Sequence, residues 1–146
     1  MAERKLVELS AEECLALLGS VPVGRVVFTQ RALPAIRPVN HLLDQGAIVI
    51  RTHLGGGLSS AVGATRGLVV AYEADEIDPR RRCGWSVVVT GTARMVTDSR
   101  QLARYEELLL PWARMAMDCV IRIEPQLVSG YRLAPVGQDV PGLRPG

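Results

Sequence analysis

Short apolar runs separated by turn residues set the pattern of this chain. Val23 to Gln30 reads as a strand, Gln30 to Pro34 as its turn, and Pro34 to Leu43 as a second strand. Asp44-Gln45-Gly46 is turn chemistry, and Ala47 to Thr52 is a β-rich run that ends in Arg51-Thr52. Leu68 to Ala74 is a further strand, and Glu76 to Gly84, with Pro79 and Arg80-Arg81-Arg82, reads as a loop. Trp85 to Thr97 is the longest strand; Val87-Val88-Val89 is of the buried type, and Thr90-Gly91-Thr92 marks a bend. Cys119 to Ile123 and Leu127 to Leu133 complete the set.

Helical signals are fewer. Ser10-Ala11-Glu12-Glu13 is a capping box, with Leu9 and Cys14 placed as a hydrophobic staple, and it predicts a helix over 11–18 that stops at Gly19. Leu58 to Ala64 is a short helix. Asp98 with Gln101 opens another, which carries Leu102, Tyr105, Leu108 and Leu109 at helical spacing and ends before Pro111. Six or so strands at short spacing, without a βαβ rhythm, predict a mainly β fold with flanking helices, a six-stranded antiparallel barrel.

Length and composition narrow this further. The 146 residues suffice for one domain, expected over 1–134, and the Pro- and Gly-rich stretch 135–146 reads as a flexible tail. Apolar residues make up 48% of the chain, yet no run approaches a membrane span. The opening MAERKLVELSAEE has no apolar signal core, so no membrane partner and a cytoplasmic location are expected. A net charge of +2, with basic residues spread along the chain, gives no footprint for nucleic acid. Cys14, Cys83 and Cys119 lack ligand spacing, as do His41 and His53, so no metal site is expected.

Candidate chemistry gathers between Ala35 and Ala61. Arg51 stands at a strand end, where a guanidinium can hold a phosphate in bidentate fashion, and Thr52 offers a hydroxyl and an N–H to the same anion. Gly55-Gly56-Gly57 permits close backbone approach, and Leu58 and Ser59 begin a helix whose free N–H groups face that loop. Pro38 cannot donate to a ladder, so the segment from Arg37 through Pro38, Val39 and Asn40 is expected to have one open side. Asn40, an amide in an apolar strand, needs a partner if buried. Trp85 and Trp112 could wall a flat ligand. Each residue also has a structural role open to it: Arg51 as a strand cap, Ser59 as a helix cap, Val39 and Trp85 as core. A ligand with a flat polar ring along Pro38 to Asn40 and a phosphate at Arg51, Thr52 and the loop describes flavin mononucleotide (FMN).

The order of several segments resembles the pyridoxamine 5'-phosphate oxidase-like FMN-binding split barrels, in particular the short actinobacterial branch near the nitroimidazole-resistance proteins. The segments are Pro38-Val39-Asn40-His41, Arg51-Thr52, Tyr72-Glu73-Ala74-Asp75, the run Gly84 to Gly91, Pro111-Trp112-Ala113 and Val128-Ser129-Gly130. The resemblance spans roughly residues 8–134. It implies a homodimer with FMN in the groove between the two chains and an oxidoreductase acting on a small organic substrate, with no catalytic residue assigned. Binding of flavin, deazaflavin or haem without catalysis, or loss of the cofactor, are the alternatives. Close members carry a lysine where this chain has Gly57, so phosphate binding here would rest on Arg51, backbone N–H groups and an arginine such as Arg66.

Overall fold

The computed structural model describes residues 4–53, 56–110 and 118–135. Seven antiparallel strands form one sheet: β1 (Arg4–Glu8), β2 (Val23–Gln30), β3 (Leu33–Asp44), β4 (Ala47–His53), β5 (Leu68–Asp78), β6 (Cys83–Met95) and β7 (Asp118–Pro135). The order is β1-β7-β4-β3-β2-β5-β6, and β6 also pairs with β7, which rolls the sheet into a barrel. Three helices accompany it, α1 (Ala11–Gly19), α2 (Gly57–Gly63) and α3 (Ser99–Leu108).

Alternation along the strands makes the interior. Val26 and Phe28 of β2, Ile48 and Ile50 of β4, Tyr72 of β5, Val87 and Val89 of β6, and Ile121 and Ile123 of β7 point inward and are buried. Leu18 of α1 and Leu58 and Val62 of α2 join the same cluster, so these two helices plug the barrel. The capping box predicted for α1 is present in both directions: Ser10 Oγ accepts from the Glu13 N–H and Glu13 Oε1 accepts from the Ser10 N–H. Asp98 caps α3 by accepting from the Gln101 N–H. That helix lies on the outer wall, where Tyr105 and Leu109 pack on Val49 and Val120 beside Leu42 and Val96.

Three expectations need correction. Among the described residues the strands number seven rather than six: Arg4–Glu8 is an added one, which pairs with the far end of β7, Arg4 opposite Pro135 and Glu8 opposite Tyr131, while Cys119–Ile123 and Leu127–Leu133 count as one. The charged residues of Arg4–Glu8 suit a sheet edge and hide the strand in the sequence. The stretch Glu76 to Gly84 is not a loop. β5 runs to Asp78 and β6 starts at Cys83, leaving a tight turn in which Asp78 Oδ1 accepts from the Arg80 and Arg81 N–H groups.

Finally, Cys119 to Ile123 and Leu127 to Leu133 are one strand. Pro125 is tolerated inside it because the β6–β7 register shifts there: Gly91 faces Pro125 while Thr90 faces Leu127. A Cβ on Gly91 would lie 2.2 Å from the Glu124 carbonyl oxygen, so only glycine fits this corner. The bend expected at Thr90-Gly91-Thr92 is thus where the long strands turn.

Candidate functional site

The β3–β4 hairpin closes on Gln45 and Gly46, both with positive φ, as a two-residue primed turn requires. From it the ladder runs only to His41 opposite Ile50. Beyond that point the strands part: Leu33–Asn40 pairs with β2 alone, and Arg51–His53 pairs with β7 alone. The parting creates two banks, Arg37 to Asn40 on one side and Arg51-Thr52 on the other. Pro38, which has no N–H to donate, sits on an edge whose other side faces Arg25 of β2.

Donor chemistry converges on this opening. Arg51 Nη1 donates to the carbonyls of Glu106 (3.2 Å) and Leu109 (3.0 Å), and Asn40 Nδ2 donates to the Leu110 carbonyl at 3.0 Å. Both banks therefore grip the C-terminal end of α3, whose last carbonyls carry partial negative charge. The partner that a polar amide in an apolar strand demands is thus supplied by the backbone just past α3. Arg37 instead stays exposed, its guanidinium 5.9 Å from the Phe28 ring. Val39 packs against the core cluster.

A polar network pins α3 in this position. Asp44 accepts from Tyr105 Oη (2.6 Å) and from both Arg104 terminal nitrogens (2.9 and 3.2 Å). Arg122 Nη1 donates to the Tyr105 hydroxyl (2.7 Å) and its Nε to Glu124 (2.7 Å). The Tyr105 hydrogen bond, followed by that from Arg104, holds the Asp44 carboxyl below the usual aspartate range. Burial first, and then the bond to Asp44, raises the Tyr105 phenol.

Around the glycine loop the sequence-predicted residues divide by role. Leu54 and Gly55 lie outside the described residues, as do Pro111, Trp112 and the stretch 136–146. Gly56 is the N-cap of α2 and Gly57 its first residue. Leu58 is core. Ser59 Oγ donates to the carbonyls of His53 (2.9 Å) and Gly56 (3.0 Å), which ties the end of β4 to the start of α2. A Cβ on Gly57 would sit 2.6 Å from Gln30 Oε1, so the Gln30 carboxamide fills the space that a side chain at position 57 would need.

Trp85 is buried in the core cluster, and its register partner Arg132 lies at the opposite end of β7 from Val120, the partner of Arg51. Within one chain the indole and the guanidinium are therefore not brought together. His41 is also accounted for structurally. Its Nε2 lies 2.7 Å from the Leu18 carbonyl, which can only accept, so Nε2 carries the proton and Nδ1 accepts from Tyr72 Oη at 2.5 Å. Burial pulls the imidazole pKa down and holds it neutral.

One cluster escaped the sequence reading. Arg25 of β2 stands directly opposite Glu73 of β5, with Nη1 3.2 Å from Glu73 Oε1 and 3.5 Å from Asp75 Oδ2. Period-2 spacing puts Glu73 and Asp75 on one face, but only the register brings Arg25 to them. Among the described residues no group of three or more His, Cys, Asp or Glu side chains is placed to hold a metal ion, and no helix is long and apolar enough to cross a membrane.

An antiparallel barrel opened between two of its strands, with a cationic side chain at the opening, defines an architectural class of mainly β protein. Comparison with known proteins makes the class specific. Residues 10–132 match the family described as pyridoxamine 5'-phosphate oxidase, and the chain belongs to that family. It is 58% identical over 132 residues to the uncharacterised protein Rv0080 of Mycobacterium tuberculosis, covering 89% of this chain and 87% of that one.

Among solved structures, the fold is similar to an FAD binding protein from Mycobacterium smegmatis, with a TM-score of 0.73 and 38% identity over 86% of this chain and 97% of that one. It is equally similar to a Corynebacterium glutamicum protein provisionally described as a pyridoxamine 5'-phosphate oxidase, with a TM-score of 0.73 and 34% identity over 90% of this chain and all of the other. The predicted family and split-barrel fold are thereby established.

Proposed function

We propose that the protein is a homodimeric flavoprotein that binds FMN at the opening between β3 and β4 and transfers hydride or electrons to or from a small organic substrate. The observation that carries this reading is the parting of the strands at His41 and Ile50, which sets Pro38 to Asn40 on one bank and Arg51-Thr52 on the other. The donor set fits an oxyanion. Arg51 and Asn40 already select carbonyl oxygens at the end of α3. A phosphate would present stronger acceptors to the same groups, so it must share or displace those carbonyls.

Arg51 and Thr52 would hold the phosphate, and Pro38, Val39 and Asn40 would flank the ring. When bound, the flavin supplies the redox chemistry, and the protein's part is to orient it and admit the substrate. The M. smegmatis relative, described as FAD-binding, makes FAD the second ligand to be tested.

The visible spectrum of freshly purified protein is the first test. Flavin bands, or their appearance on adding FMN or FAD, support the reading, whereas a colourless protein that takes up neither overturns it. Arg51→Ala locates the phosphate. Loss of a charge-assisted hydrogen bond costs about 1.5–3 kcal/mol, so FMN affinity should fall about tenfold to a hundredfold while riboflavin, which lacks the phosphate, is little affected. Equal losses for the two ligands would place the phosphate elsewhere.

A further inference from the structure

α3 covers one part of the barrel's outer wall, over Leu42, Val49 and Val120. The wall formed by β2, β5 and β6 and flanked by β3 and β7 is different: Ile36 is 57%, Val69 64%, Val88 41% and Leu127 70% exposed. The registers place these four on the same face as Arg25, Glu73 and Asp75. Together they offer roughly 400 Å² of exposed apolar surface, about half of the ~800 Å² that each partner buries in a stable contact. Such a face marks an interaction site.

Among the described residues the groups that face Glu73 are few. Arg25 lies across from it on β2 and Asp75 beside it on β5. From β6, Val88 stands opposite Glu73 and Ser86 opposite Asp75, with Ser129 of β7 beyond Val88; on the far side of Arg25 is Pro38 of β3. None of these carries charge. Two carboxylates therefore share one guanidinium, and the cluster is net negative by one when both are ionised.

We infer that this face is where a second copy of the chain packs, and that each copy takes up one proton at the Arg25–Glu73–Asp75 cluster as the two come together. A twofold contact sets the same patch against itself. The cluster holds both signs, so Arg25 of one copy can meet a carboxylate of the other, but two patches that are each net negative repel until a proton neutralises each. Partial burial, then the neighbouring Asp75, already raises Glu73 to about 7, against the opposing effect of Arg25. Covering the face removes more water and raises it further.

Association is then proton-linked. Below about pH 7 both the free and the paired chains hold the proton and affinity is flat. Above it the free chain loses a proton that the dimer retains, so the dissociation constant climbs toward about a hundredfold per pH unit for two sites.

The inference rests on the homodimer of the proposed function, and sedimentation of the full chain between pH 6 and pH 8.5 at fixed ionic strength tests each separately. The expected result is a dimer that loosens above about pH 7. Glu73→Gln should remain dimeric at pH 8.5, and Val69→Glu should dissociate the dimer at every pH. A monomer at all pH values overturns both the homodimer and the inference. A dimer of constant affinity, or a Glu73→Gln protein that keeps the pH step, overturns the proton linkage alone. A Val69→Glu protein as tightly dimeric as the parent shows that the contact lies on another face.

Discussion

Tyr105→Phe removes a single oxygen and leaves the buried ring in place, so it isolates what the polar network contributes to holding α3. The lost hydroxyl donates to Asp44 at 2.6 Å and accepts from Arg122 at 2.7 Å. A hydrogen bond to a charged group contributes about 1.5–3 kcal/mol. Both partners keep other contacts, Asp44 with Arg104 and Arg122 with Glu124, which limits the loss to about 2 kcal/mol, one such bond. For a chain of this size that lowers Tm by roughly 6 °C.

Urea and thermal denaturation measure the loss, and amide hydrogen exchange should quicken over α3 before the barrel is affected. The pH dependence provides a second check. Asp44 is held below the usual range, so its contribution is present at neutral pH and disappears as pH falls through its lowered value. Tyr105→Phe weakens that hold, and the gap between the two proteins should therefore narrow in acid. A loss under about 0.5 kcal/mol at pH 7, or a gap as wide in acid as at neutrality, would refute the network's role.

Two further outcomes are expected. Gly57→Lys adds a charge beside the glycine loop; its Cβ meets only the flexible end of Gln30, and φ at Gly57 lies outside the left-handed region. FMN should bind about tenfold tighter at low salt, with the gain fading as salt rises. Unchanged affinity in a protein that melts normally would mean the loop's own N–H groups already satisfy the phosphate, or that none binds there. For His41, the folded imidazole resists protonation while the unfolded chain accepts a proton, so stability falls as pH drops below about 6.5. His41→Gln should remove that slope. The difference between the two proteins is the quantity to measure, because Glu73, raised to about 7, acts in the opposite sense. Identical pH profiles would place the proton elsewhere.

Local chemistry was legible in the sequence where residues speak to near neighbours. The Ser10–Glu13 capping box, the Asp98 cap and the turn at Gln45-Gly46 form as their residue types dictate. Pro38 pointed to an open edge for a reason internal to proline. What depends on register was not legible: nothing in the spacing of Arg25, Glu73 and Asp75, or of Asp44, Tyr105 and Arg122, says that these groups meet across strands. Arg51 shows the same limit. Its position at a strand end was clear, but its grip on the Glu106 and Leu109 carbonyls depends on where α3 lands. Pro125 misled in the other direction, because the bulge that accommodates it, with Gln126 as the extra residue of β7, shows only once β7 is set against β6.

β7 pairs with three different strands, β1, β4 and β6, and it is synthesised after all of them. Until it emerges from the ribosome, β4 and β6 each present an unpaired edge, and the hairpins already made have no seam along which to close. Pairing of Arg4 with Pro135 spans nearly the whole described chain, so closure carries a large loop-entropy cost and is slow relative to hairpin formation. Closure of this barrel therefore follows the formation of its hairpins and waits for β7. A pause or truncation before Asp118 leaves a sticky half-sheet, the species most prone to aggregate during synthesis.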